Sequence, residues 1–220
     1  MNCYVLAGGR SSRMGAPKAT LPFAGSTFLR RVVDAAEAVF DRVIVVERPS
    51  PPAPLPAGAG RGGPLAREIP LPASGERVAE GRVRGIETIF EDPHADEAPV
   101  FGVQRALADA GGKCFILAVD YPLITSVLLS DLAARFEASN AAMLVPWSDG
   151  HPHVLCAGYS PVLLPVIEAR ISRRQYDLRG LAAGAESVPC EGPELMNVNT
   201  PEELEEAERL YERQRILASR

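Results

Sequence analysis

Short apolar runs of strand length alternate with longer segments of helical periodicity along this chain, and that order leaves few architectures open. The strand-like runs are Cys3–Ala7, Arg42–Val46 (RVIVV), Ile86–Phe90 (IETIF), Lys113–Val119 (KCFILAV) and Ala142–Pro146 (AMLVP). Between the first two, Phe28, Leu29, Val32, Val33, Ala36 and Val39 recur at helical spacing, with Ser26 or Thr27 placed to cap. Further helices are expected from about Val100 to Ala110 and from about Ser126 to Glu137. Strand and helix in regular alternation predict a three-layer α/β/α sandwich around a mostly parallel, Rossmann-like sheet.

After Pro146 the rhythm changes. HVLCAGY reads as another strand, PVLLPVIEARI as a helix interrupted by Pro165, and AESVPC as a short strand. Thr200-Pro201-Glu202-Glu203 forms a capping box, with proline at the first helical position, and predicts a terminal helix to about Ala218.

One stretch breaks the pattern. From Pro49 to Gly85 about two fifths of the residues are proline or glycine. Such a segment holds neither a regular helix nor a central strand, and it offers too little apolar surface to offset the entropy of ordering it. It reads as a flexible, largely disordered insertion at about 49–85, with a functional lid as the alternative. With 220 residues the chain otherwise has the length of one domain.

The four cysteines, Cys3, Cys114, Cys156 and Cys190, are scattered through apolar stretches and form no C-x-x-C pair, which fits small buried thiols in a reducing compartment. No apolar run approaches the roughly 20 residues of a membrane span, and the chain enters a strand without a secretory-type leader, so a cytoplasmic location is expected and no membrane association. A net charge of −5 argues against nucleic acid as a partner and requires anionic ligands to be held by local features.

The strongest such feature is LAGGRSSRMGAPK, Leu6 to Lys18, directly after the first strand. It is no P-loop, because Lys18 lies three residues beyond Gly15 and is followed by Ala19, leaving no hydroxyl for a metal. It is no dinucleotide fingerprint either, since Gly8 and Gly9 are adjacent and no helix follows at once. What remains is a long loop at the carboxyl end of a strand, where open parallel sheets place their ligands. There Gly8 and Gly9 let backbone N–H groups approach an anion while Arg13 and Lys18 supply charge. FILAVDYP sets Asp120 past the end of another buried strand. Locally it is a turn former; facing the same crevice, it is a carboxylate suited to Mg²⁺.

LAGGRSSRMGAPKATLPFAG resembles the L-A-G-G-x-S-x-R-M-G-x-x-K-x-L-P signature of the molybdenum cofactor guanylyltransferase (MobA-like) family of nucleotidyltransferases. The similarity continues through RVIVV, FEDP, FILAVDYPLIT and NVNTPEEL in order. The resemblance implies Mg²⁺-dependent transfer of GMP from GTP to molybdopterin, with release of pyrophosphate and transient contact with molybdoenzymes or their chaperones. It implies nucleotide contacts by Leu6, Ala7, Gly8, Gly9, Arg13, Lys18, Asp92, Pro99 and Asp120. Among these, Arg13, Lys18 and Asp120 carry the catalysis and Asp120 binds the metal. Asn197 and Asn199 of NVNT and Arg173, Arg174 and Arg179 of SRRQYDLRGL are implied near the acceptor, with turn formation and a solvated basic surface as the alternatives.

His151 and His153 are spaced for an acceptor-contact or structural role rather than a metal site. Two departures stand out: Ala98 occupies a position where the family has glycine, and Glu47-Arg48-Pro49 replaces an asparagine-containing segment. No binding role is assigned to those last three residues. The rival readings are a CTP-dependent cytidylyltransferase, a non-catalytic nucleotide-binding partner protein and a sugar-phosphate nucleotidyltransferase.

Overall fold

A computed structural model describes residues 1–8, 17–49, 86–94 and 96–218. The insertion read at about 49–85 falls almost wholly outside the described residues, as do Gly9 and Arg13.

In chain order the elements are β1 (Asn2–Leu6), β2 (Pro22–Phe23), β3 (Ser26–Thr27), α1 (Phe28–Glu37), β4 (Val43–Glu47), β5 (Glu87–Phe90), α2 (Pro99–Ala110) and β6 (Cys114–Ala118). They continue with α3 (Ser126–Ala138), β7 (Met143–Ser148), β8 (His151–Pro152), β9 (Cys156–Tyr159), α4 (Leu164–Ser172), β10 (Glu186–Pro189) and α5 (Pro201–Ala218). The main sheet runs β10-β7-β9-β6-β1-β4-β5, with β8 added to β7, while β2 and β3 form a separate two-stranded ribbon.

Every strand on that main path is parallel to its neighbours except β9, which is antiparallel to both β6 and β7. The reversed strand has a positional consequence. Because β9 runs backwards, the chain entering it, residues 149–155, lies at the same edge as the carboxyl ends of β6 and β7.

The period-2 geometry of the strands divides the core into two layers. Cys3, Val5, Val45, Phe115 and Leu117 face α1, α3 and α5, whereas Tyr4, Ile44, Val46, Cys114 and Ile116 face α2 and α4. The sheet is therefore covered on both sides, and β6 is buried along its whole length. Near-continuous apolar sequence in KCFILAV follows from that burial. Cys3, Cys114 and Cys156 are buried within it, and burial pushes the Cys114 thiol up to about 12.

The helices begin where local chemistry lets them. Thr27 caps α1 by accepting from the Arg30 amide at 3.2 Å, and Thr125 caps α3 by accepting from Leu128 at 3.3 Å. In α5, Thr200 Oγ1 accepts from the Glu203 amide at 3.2 Å while the Glu203 carboxylate accepts from the Thr200 amide at 3.0 Å, the expected reciprocal box. Pro165 does not interrupt a helix. It lies in the first turn of α4, after a short 3-10 turn over Pro161–Leu163, where a missing N–H costs nothing.

One close contact fixes the helix layer to the sheet. Phe136 of α3 lies on Gly158 of β9 so tightly that a Cβ there would come within 2.3 Å of the ring. Gly158→Ala is expected to force the helix off the strand and cost about 1–3 kcal/mol. Urea unfolding of the variant against the parent, read as a lower midpoint with an unchanged slope, checks this.

Candidate functional site

Strand register assembles the site. Leu6 of β1 pairs with Val46 of β4 on one side and Ala118 of β6 on the other, while Glu47 of β4 pairs with Phe90 of β5. The residues just beyond those pairs are Gly8, Arg48, Glu91 and Asp120. Four strand ends thus deliver a glycine, a guanidinium and two carboxylates to a single row at the carboxyl edge. Hydrogen bonds from Val119 to the Leu6 carbonyl, 3.1 Å, and from Glu91 to the Glu47 carbonyl, 2.9 Å, extend the ladder into that row.

A cavity of about 230 Å³ opens along the row. It is walled by Leu6, Gly8, Arg48, Glu91, Ala98 and Pro99 toward one end and by Ala118, Val119 and Asp120 toward the other. Ala98 is the N-cap of α2, so the amide end of that 12-residue helix borders the cleft.

At the Asp120 end the polar groups are linked. The Lys18 ammonium lies 2.9 Å from Asp120 Oδ2 and donates to Asn199 Oδ1 at 2.6 Å. Asn199 Nδ2 in turn donates to Asn197 Oδ1 at 3.0 Å, and its amide donates to the Glu203 carboxylate of the capping box at 2.6 Å. The Val198 amide donates to the Asp120 carbonyl at 2.9 Å, pinning NVNT against the end of β6. Burial pushes the Asp120 carboxyl up and the Lys18 ammonium pulls it back. With side-chain exposures of 14% for Lys18 and 23% for Asp120 the pair is sheltered, and Asp120 lines the cleft.

At the other end Arg48 holds three acceptors. Its Nε is 3.5 Å from Glu91 Oε2, its Nη1 is 3.2 Å from Glu97 Oε1, and its Nη2 donates to the Asp96 carbonyl at 3.4 Å. Glu91 is only 7% exposed, and its burial raises the carboxyl's pKa against the pull of Arg48. Asp92, the carboxylate singled out in FEDP, points into solvent and does not line the cavity. Glu91 and Arg48 are the residues that sequence reasoning passed over. The signal that finds them is the β4–β5 register, which no single-strand pattern contains.

A second cavity of about 440 Å³ shares the Pro99 and Leu155 walls with the first. Tyr121, His153, Tyr176, Arg179 and Asn197 surround it. His153 is fixed there, its Nε2 2.7 Å from Ser148 Oγ and its Nδ1 3.4 Å from the Tyr121 hydroxyl, and burial holds its pKa below the ordinary value. Arg173 and Arg174 are exposed on the turn after α4, line neither cavity, and leave Arg179 as the arginine of that segment that does. Ala7 is half-buried, and its amide is bonded to the Val46 carbonyl at 3.0 Å, so it extends the sheet rather than lining the cleft.

Comparison with known proteins gives this arrangement its kin. A curated protein of Mycobacterium avium (strain 104), named "Probable molybdenum cofactor guanylyltransferase", is 32% identical over 206 residues, 91% of each chain. The crystal structure of molybdopterin-guanine dinucleotide biosynthesis protein A from Archaeoglobus fulgidus superposes with a TM-score of 0.72 at 22% identity, covering 97% of this chain and all of the other. A Mycobacterium tuberculosis H37Rv protein solved in complex with manganese superposes at 0.59 with 20% identity, covering 94% of this chain and 97% of that one. The family model described as the MobA-like NTP transferase domain matches residues 3–188. With that match over most of its length, the chain belongs to the MobA-like nucleotidyltransferases.

Proposed function

We propose that the protein transfers GMP from GTP to the phosphate of molybdopterin in the cytoplasm, releasing pyrophosphate. The observation that carries this reading is the row of strand ends, with Gly8 and Asp120 on one cleft, Lys18 paired to Asp120, and a second, aromatic-walled cavity beside it. The name borne by the relatives at 32% identity supports the guanylyl donor and the acceptor.

An oxygen of the acceptor phosphate attacks the α-phosphorus, a new P–O bond forms, and the bond from that phosphorus to the bridging oxygen of pyrophosphate breaks. The nucleophile is already anionic at neutral pH, so no side chain need form a covalent intermediate. The protein's part is to align the two phosphates and offset their charge. Lys18 serves the triphosphate, with Arg13 assigned beside it by the family signature. Asn199 holds Lys18 in place, braced by Asn197, which borders the acceptor side.

Asp120 is the residue that would hold Mg²⁺. Among the described residues no group of three His, Cys, Asp or Glu side chains converges on a metal site. A lone carboxylate fits a cation that keeps several waters and completes its shell with substrate phosphates. Bound there, the ion would supply neutralisation of charge developing on the leaving pyrophosphate. The manganese complex of the related mycobacterial protein is in keeping with this.

The second cavity suits the acceptor. Tyr176 offers an apolar face to a fused ring system, and Arg179 offers a fork to a phosphomonoester.

Pyrophosphate release, measured with Mg²⁺, molybdopterin and each nucleoside triphosphate in turn, is expected with GTP; a preference for CTP would assign the chain to cytidylyl transfer instead. Asp120→Asn should lower metal-dependent turnover by about a thousandfold or more while the fold survives, measured by steady-state kinetics over a Mg²⁺ titration. Arg179→Gln should raise the acceptor KM by about tenfold or more and spare the GTP KM, whereas Arg173→Ala with Arg174→Ala should shift neither by more than about twofold.

A further inference from the structure

The guanylyl reading leaves open what recognises the base, and the cleft end away from Asp120 contains groups with no other evident task. Glu91 is a carboxylate buried at the wall of the cavity, and its ion-pair distance to Arg48, 3.5 Å, is long for a charge-assisted hydrogen bond. A buried carboxylate held this loosely is costly unless something else satisfies it. The space around it is also kept clear. A Cβ on Gly102 of α2 would lie 2.9 Å from Glu91 Oε1, and one on Gly8 would lie 3.5 Å from the same oxygen. Glycine at 102 thus leaves room for that carboxylate oxygen, and Gly8 borders it at ordinary contact distance.

The base edges differ in what they offer such a group. Guanine presents two adjacent donors, N1–H and the exocyclic amine, next to the O6 acceptor. Adenine and cytosine each place an acceptor where guanine has N1–H, so a carboxylate that faces them meets repulsion. We infer that Glu91 reads guanine, accepting from N1–H and the N2 amine through its two oxygens while Arg48, beside Oε2, donates to O6. Glu97, at the rim and 47% exposed, holds the far side of the Arg48 guanidinium, and Asp96 holds it through its carbonyl. Arg48 thereby stays over the end of Glu91 that O6 would approach. This assignment rests on the GTP reading above and supplies its specificity determinant.

The test is nucleotide binding without acceptor, measured by isothermal titration of the magnesium complexes of GTP, ITP and CTP. ITP keeps N1–H and O6 and lacks only the N2 amine. Wild type is expected to bind GTP over ITP by about tenfold or more, the worth of one hydrogen bond to a charged group. Glu91→Gln, which must turn an amide N–H toward one of the two guanine donors, is expected to bring GTP and ITP within about twofold by weakening GTP. Gly102→Ala alters no charge but displaces the carboxylate, and it should move the ratio the same way. Circular dichroism and thermal melting establish that each variant is folded. If wild type prefers GTP and a folded variant of either kind keeps the wild-type GTP:ITP ratio, the assignment of Glu91 is overturned while guanylyl transfer stands. If wild type prefers CTP, the GTP reading falls and this inference falls with it.

Discussion

Parallel register among β1, β4, β5 and β6 is the constraint on which the site depends. A strand that slipped by one residue would turn its whole side-chain pattern to the other face, and the two-layer core forbids that. β1, β4 and β6 are held in place by their apolar residues, such as Cys3 and Val5 against α1 and α3, and Tyr4 and Ile44 against α2, and β5 takes its level from pairing with β4. Packing that has no chemistry of its own thus sets the level at which Gly8, Arg48, Glu91 and Asp120 emerge. The polar row inherits its geometry from the hydrophobic core.

Much of the fold was legible because its signals are local. The capping box at Thr200, the threonine cap at Thr27, the buried run of β6 and the helical spacing between Phe28 and Ala36 are each read from a few neighbouring residues. Pro165 misled because a proline inside an apolar run reads the same whether it breaks a helix or opens one, and only the 3-10 turn ahead of it decides. The direction of β9 is likewise invisible in its four residues and follows from pairing with β6 and β7.

The site divides along the same line. Lys18, Asp120, Asn197 and Asn199 belong to long motifs, and the structure brings all four together through distances of 2.6 to 3.0 Å. Glu91 and Asp92 are adjacent carboxylates after one strand, and sequence does not say which turns inward. Pairing with β4 does, since it sets Glu91 level with Arg48. Arg179 stands apart from Arg173 and Arg174 for a similar reason. It follows Leu178, buried beneath it, whereas the arginine pair sits on a turn where Arg174 takes a φ of 56°.

The antiparallel strand β9 has a consequence for how such a protein can change. It separates the sheet into a parallel half that carries the row from Gly8 to Asp120 and a flank whose segments, 149–155 and 176–179, wall the second cavity. The shared border is narrow, Pro99 and Leu155. Substitutions in the flanking loops can remodel one pocket while the register that builds the other stays untouched. On the proposed reading, acceptor choice and nucleotide handling are separable under selection, and a new acceptor is within reach of loop variation alone.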